Sequence, residues 1–121
     1  MRDRISMLGT GHSLDKIVDG AVQLKQVRKE ELQFGDMVLV TTRNSDYSVS
    51  VLGNGYYIVS GGWFSRRGRS PMKVAIIGCT WGGSIIKVDT LAACGLRMEF
   101  GNRVITTTIR RVQVIRSGSK N

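Results

Sequence analysis

Nucleophilic catalysis in this chain would have to use His12, its single histidine, with Ser13 and Asp15 as sequence neighbours. Groups this close together in a glycine-flanked stretch near a terminus lack the fixed geometry a triad needs. Ser13 and Asp15 read instead as cap residues that accept from backbone N–H groups. Of the nine carboxylates only Asp36, Asp46, Asp89 and Glu99 fall in the body of the chain, and the three aspartates sit at turn signals. None forms a pair suited to acid–base work. Cys79, Cys94 and His12 are the only soft metal ligands and show no C-x-x-C spacing, so no zinc site is expected. The two thiols are expected to be reduced and buried as small apolar residues. The run Gly78-Cys79-Thr80-Trp81-Gly82-Gly83-Ser84 is glycine-rich, but it lacks the Gly-Lys-Ser/Thr ending of a phosphate-cradling loop. It reads as a tight corner with Trp81 packed over it. The inventory predicts no catalytic residue, no metal site and no cofactor.

Binding chemistry is better represented. Arg66, Arg67 and Arg69 lie on a glycine- and serine-punctuated stretch beside Trp63 and Phe64, which combines cations for phosphates with aromatic faces for bases. Arg110 and Arg111, followed by Arg116 and Lys120, could extend that surface. No recognition helix is visible, so RNA or single-stranded DNA is the expected polyanion. A second reading stays open: the charge keeps a small β protein soluble and its edges unpaired, with Trp63 and Phe64 in the core. On that reading the chain is a structural protein that self-assembles into a homo-oligomer by β-edge pairing. A polar set, Thr41, Thr42, Arg43, Asn44, Ser45 and Tyr47, has two readings as well: a small-ligand site, or a turn satisfying its own backbone.

The elements that must position these groups are strands. Met37–Thr42 is apolar and β-branched, between the turn signals Gly35-Asp36 and Arg43–Asp46. Tyr47–Leu52 and Tyr56–Ser60 alternate on either side of Gly53-Asn54-Gly55, a hairpin signal. Ser65–Ser70 reads as an exposed basic loop, and Pro71 opens a strand over Met72–Ile77. Ser84–Val88 reads as a strand and Asp89–Gly95 as a loop or single helical turn. Leu96–Phe100 and Val104–Thr108 form a second hairpin about Gly101-Asn102, and the last strand runs from about Ile109 to Val114. Ala21–Val27 is expected to be one opening strand. The sum is an all-β fold: a small, strongly bent antiparallel barrel of seven or eight short strands, with a two-sheet sandwich as second choice. Fifteen glycines, against an average near 7%, suit the corners of such a sheet.

The net charge of +9 is carried almost wholly by the strand-rich part, since residues 34–121 hold twelve Lys or Arg against four Asp or Glu. No apolar run approaches the roughly 18 residues of a membrane helix. Gly9-Thr10-Gly11-His12 stands where a signal peptide would be apolar, so a cytoplasmic, non-membrane protein is expected. The organisation read here is a loosely held segment over residues 1–20, one barrel domain over 21–117 and a tail over 118–121.

Three motifs, Thr42-Arg43-Asn44-Ser45 with Tyr47, Gly61-Gly62-Trp63-Phe64 and Cys79-Thr80-Trp81-Gly82-Gly83-Ser84, resemble those of a group of small bacterial proteins of unassigned function. The resemblance spans roughly residues 32–116 and implies no activity. Leu32–Val40 and the step from Ile105–Thr108 into Ile109–Ile115 are also similar to the first and last strands of SH3-like barrels. That likeness concerns architecture alone.

Overall fold

The computed structural model describes residues 20–81 and 86–118. His12, Ser13, Asp15 and Lys120, and the glycines of the 78–84 run beyond Trp81, lie outside them. Ten strands, a 3-10 turn (Lys29–Glu31) between the second and third of them, and one short α-helix follow in order: β1 (Ala21–Leu24), β2 (Gln26–Arg28), β3 (Met37–Thr42), β4 (Asp46–Gly53), β5 (Tyr56–Gly61), α1 (Gly62–Arg66), β6 (Met72–Thr80), β7 (Ile86–Lys87), β8 (Thr90–Ala93), β9 (Arg97–Phe100) and β10 (Ile109–Ile115). The fold is all-β, as the alternation predicts. One sheet runs in the order β1-β10-β3-β4-β5-β6-β7 with antiparallel neighbours, and it curls into a half-barrel. β9 pairs with the opposite side of β6, and β2 with β8 makes a second, two-stranded sheet.

Alternation decides which face is inside. In β3, β4 and β10 the side chains of Val38, Val40, Val49, Val112 and Val114 are at most 1% exposed, and β5 adds Val59. Burying each such side chain contributes about 1.5–3 kcal/mol. At one end of this valine-lined trough stand three rings. Phe64 lies 4.9 Å from Phe100 and edge-on to it, and Tyr47 lies 5.8 Å from Phe100 and 6.3 Å from Phe64.

Several elements depart from the sequence expectation. The single strand expected over Ala21–Val27 is two strands: the chain bends at Lys25, so that Ala21–Leu24 joins β10 while Gln26–Arg28 joins β8. Asp89–Gly95 is not a loop. Thr90–Ala93 is a strand with all four residues buried, which hides the alternation that would have revealed it. β6 continues past Ile77 through Gly78 to Thr80, with a register shift against β9 between Ile76 and Gly78. The strand expected over Val104–Thr108 reduces to one bridge, Ile105 with Glu99. There Thr106 N donates to Met98 O and Phe100 N to Val104 O, both at 2.9 Å, while the Thr106 hydroxyl donates to Thr107 O at 2.8 Å and accepts from Met98 N at 3.0 Å. The curled sheet has eight strands, within the expected seven or eight, and β2 with β8 stands apart from it as a second small sheet. Of the two thiols only Cys79 is buried; Cys94 is exposed, because it follows β8 where the chain turns outward.

A clasp joins the start of β3 to the end of β10. Asp36, fully buried, accepts from Gln33 N at 3.0 Å and Ser117 N at 2.8 Å, and Arg116 Nη1 stands 3.4 Å away. Burial by itself would raise the carboxyl pKa. The Ser117 and Gln33 N–H groups and the Arg116 guanidinium outweigh it and hold Asp36 below its ordinary value. Among the described residues no helix is long and apolar enough to cross a membrane.

Candidate nucleic-acid interface

The basic stretch is not a loop throughout. Gly62–Arg66 forms a single helical turn, entered through Gly61 and Gly62, both at positive φ (+95° and +48°). Only glycine fits here. A Cβ on Gly61 would overlap Asp46 O, and one on Gly62 would overlap the Tyr47 ring. The close approach lets the Tyr47 hydroxyl accept from Trp63 N at 3.2 Å. Tyr47, taken from sequence as a member of a polar site, is 4% exposed and serves as the floor on which α1 rests.

α1 sorts its two aromatics. Phe64 points inward and is fully buried, so it cannot stack on a base; on this residue the sequence reading of a two-ring surface is corrected. Trp63 is half-buried, edge-on to Phe64 at 5.2 Å, and carries the Arg67 guanidinium 5.4 Å from its ring centre. The chain after α1 is tied to it by Arg67 N to Trp63 O (3.1 Å), Gly68 N to Ser65 O (3.0 Å) and Arg69 N to Phe64 O (2.7 Å). Gly61 N donates to Ser70 Oγ at 3.1 Å and closes the segment at its base. Arg66, Arg67 and Arg69 are all exposed, and no carboxylate of the described residues ion-pairs with any of them. Their charge is therefore presented outward from an internally bonded frame.

The polar set is a closed turn. Thr42 Oγ1 donates to Ser45 O (2.9 Å) and accepts from Ser45 N (3.0 Å) and from the Thr107 hydroxyl (3.0 Å). Asn44 N donates to Thr107 Oγ1 at 3.2 Å, and Arg43 N to Thr108 O at 2.8 Å. One side chain of the turn is turned toward the helix: Ser45 Oγ accepts from Arg66 Nη1 at 2.9 Å. The structure thus brings together the polar turn and the basic stretch, 21 residues apart in sequence. Ile109 pairs with Thr42 and Arg111 with Thr41, so β10 brings Arg110 and Arg111 to this same end of the sheet. Arg110 sits at the register shift and is exposed, whereas Arg111 is half-buried.

Trp81 does not pack over a corner. It is 58% exposed, with Lys87 Nζ 5.9 Å from its ring. Tyr56, 45% exposed, has Lys73 Nζ at 5.0 Å, a pair that no sequence motif marks. A simple signal was available: residues 47–88 contain five Lys or Arg and no Asp or Glu. Among the described residues no three His, Cys, Asp or Glu side chains gather as metal ligands would. Cys79, deep in the structure, donates to Leu91 O at 3.4 Å, and burial pushes its thiol up to about 11. It is held as a neutral thiol, the inert form.

No protein-family model matches the chain, and neither a curated protein nor a solved structure does.

Proposed function

We propose that this protein is a non-enzymatic, cytoplasmic binding module that takes up single-stranded nucleic acid, RNA or single-stranded DNA, on the surface built by α1. The observation that carries the reading is the outward presentation of Arg66, Arg67 and Arg69, none of them ion-paired with a carboxylate of the described residues, around the half-buried Trp63. Cations of this kind neutralise phosphates and release counterions, and a base stacks on an indole or on a guanidinium plane. The Ser45–Arg66 bond and the nearby Arg110 widen the basic surface toward the β3–β4 turn. A closed turn and an inward Phe64 leave Trp63 as the ring on offer.

Fluorescence anisotropy with a labelled single-stranded oligonucleotide pool tests this. Replacing Arg66, Arg67 and Arg69 together by Ala should weaken binding and flatten the slope of log affinity against log salt by up to about 2–3, roughly 0.7–0.9 per lost phosphate contact. Absence of binding by the unaltered protein at low salt overturns the proposal.

A further inference from the structure

α1 touches the chain at the start of β4 through two side chains. The Tyr47 hydroxyl accepts from Trp63 N, and the Ser45 hydroxyl accepts from Arg66 Nη1 at 2.9 Å. Residues two apart on extended chain share a face, and residues three apart share a side of a helical turn. Ser45 and Tyr47 therefore both meet α1, on the side that carries Trp63 and Arg66. Asp46, between them, opens β4 opposite Thr41 and lies on the other face.

The hydrogens behind Ser45 are all assigned. The Thr107 hydroxyl donates to Thr42 Oγ1 at 3.0 Å, and the Thr42 hydroxyl donates to Ser45 O at 2.9 Å. The main-chain donors of the turn are used as well: Thr42 N on Ser45 O, Arg43 N on Thr108 O, Asn44 N on Thr107 Oγ1 and Ser45 N on Thr42 Oγ1. The turn thus keeps no backbone N–H for an anion. What it does offer is the Ser45 hydroxyl, whose oxygen takes the Arg66 bond and whose own hydrogen meets no acceptor among the described residues. Arg66 is exposed, spends one N–H of its guanidinium on Ser45 and keeps the others.

We propose that Ser45 and Arg66 together form one phosphate position of the nucleic-acid surface. Arg66 supplies the charge through the N–H groups turned away from Ser45, and the Ser45 hydroxyl holds the guanidinium through Nη1 while donating its own hydrogen to the same phosphate. The turn closed by Thr42 and braced by Thr107 fixes that hydroxyl before ligand arrives, so less freedom is lost on binding than with a loose arginine. The proposal rests on the reading of the α1 surface and assigns to it a residue from outside the basic stretch.

The test is a double-mutant cycle on the full chain, read by anisotropy with labelled single-stranded RNA and DNA of one sequence, about 12 nucleotides long. Ser45→Ala removes no bond that closes the turn, since Thr42 Oγ1 and the backbone do that. It should weaken binding roughly three- to tenfold, equally for RNA and DNA, because the phosphate is common to both. Ser45→Thr, which keeps a hydroxyl, should restore most of the loss. In an Arg66→Ala background, where the salt slope has already flattened by about 0.7–0.9, Ser45→Ala should cost less than about twofold. If Ser45→Ala binds as tightly as the unaltered protein, or loses as much without Arg66 as with it, the shared phosphate position is overturned while the α1 site stands. A loss confined to RNA also overturns it, since the hydroxyl would then be reading the ribose 2′-OH. If the unaltered protein binds neither oligonucleotide at low salt, the α1 reading falls, and this position with it.

Discussion

The Tyr47 hydroxyl accepts a hydrogen bond from Trp63 N at 3.2 Å, and the ring beneath it fills the space where a side chain on Gly62 would lie. Two distant motifs are thereby one structural unit: β4 supplies the floor and the glycine pair lets the helix sit on it. The orientation of Trp63 and of the arginines after it depends on this contact.

Gly62→Ala should therefore be costly. Placing Ala at φ +48° costs about 1–2 kcal/mol, and the clash with Tyr47 should bring the total loss to about 2–4 kcal/mol in urea unfolding. Tyr47→Phe, which removes only the acceptor, should cost about 0.5–1.5 kcal/mol. A Gly62→Ala protein as stable as the unaltered one would refute the contact.

The Asp36 clasp predicts a pH dependence of defined sign. The folded-state pKa is depressed, so the clasp contributes fully above the unfolded value of about 4 and is lost as pH falls through the folded value. Asp36→Asn should be less stable than the unaltered protein by about 1–3 kcal/mol at pH 7. That gap should narrow below about pH 4. A gap that stays constant from neutral to strongly acid conditions would show that the carboxylate charge is not what the clasp uses.

The thiols should separate cleanly. Cys94 is exposed, whereas Cys79 is fully buried with a pKa near 11 caused first by burial. Iodoacetamide at about pH 8 should modify the Cys94 peptide of the native protein, and the Cys79 peptide only after denaturation. Equal labelling of both peptides in the native state would contradict the placement of Cys79.

Trp63 should report on binding. In a Trp81→Phe background it is the sole tryptophan, half-buried under the Arg67 guanidinium. Single-stranded oligonucleotide should quench its emission as a base stacks nearby, and Arg67→Ala should make it more accessible to acrylamide before ligand is added. Emission that does not respond to bound oligonucleotide would place the contact elsewhere.

Much of the β-sheet could be read from local pattern. β3, β4 and β5 fall close to the expected positions, because alternation and the Gly53-Asn54-Gly55 turn are short-range signals. The same reading missed β8, whose residues are buried on both faces and so do not alternate, and it ran β1 and β2 together, because the bend at Lys25 carries no glycine or proline. In the candidate site, residue types pointed to Arg66, Arg67, Arg69 and Trp63, but nothing local distinguishes Trp63 from Phe64, which are adjacent and both aromatic.

What the sequence determined by itself was the β class, the concentration of positive charge in the strand-rich part, and the small stock of groups fit for catalysis; each follows from residue type and near-neighbour spacing. What the tertiary structure alone decided was partnership. It turned Phe64 into the core and left Trp63 at the surface, and it laid Tyr47 under Gly62 and joined Ser45 to Arg66. Those relationships arise from which strands pair and how tightly their backbones approach, and such long-range packing leaves no periodic trace in the order of residues.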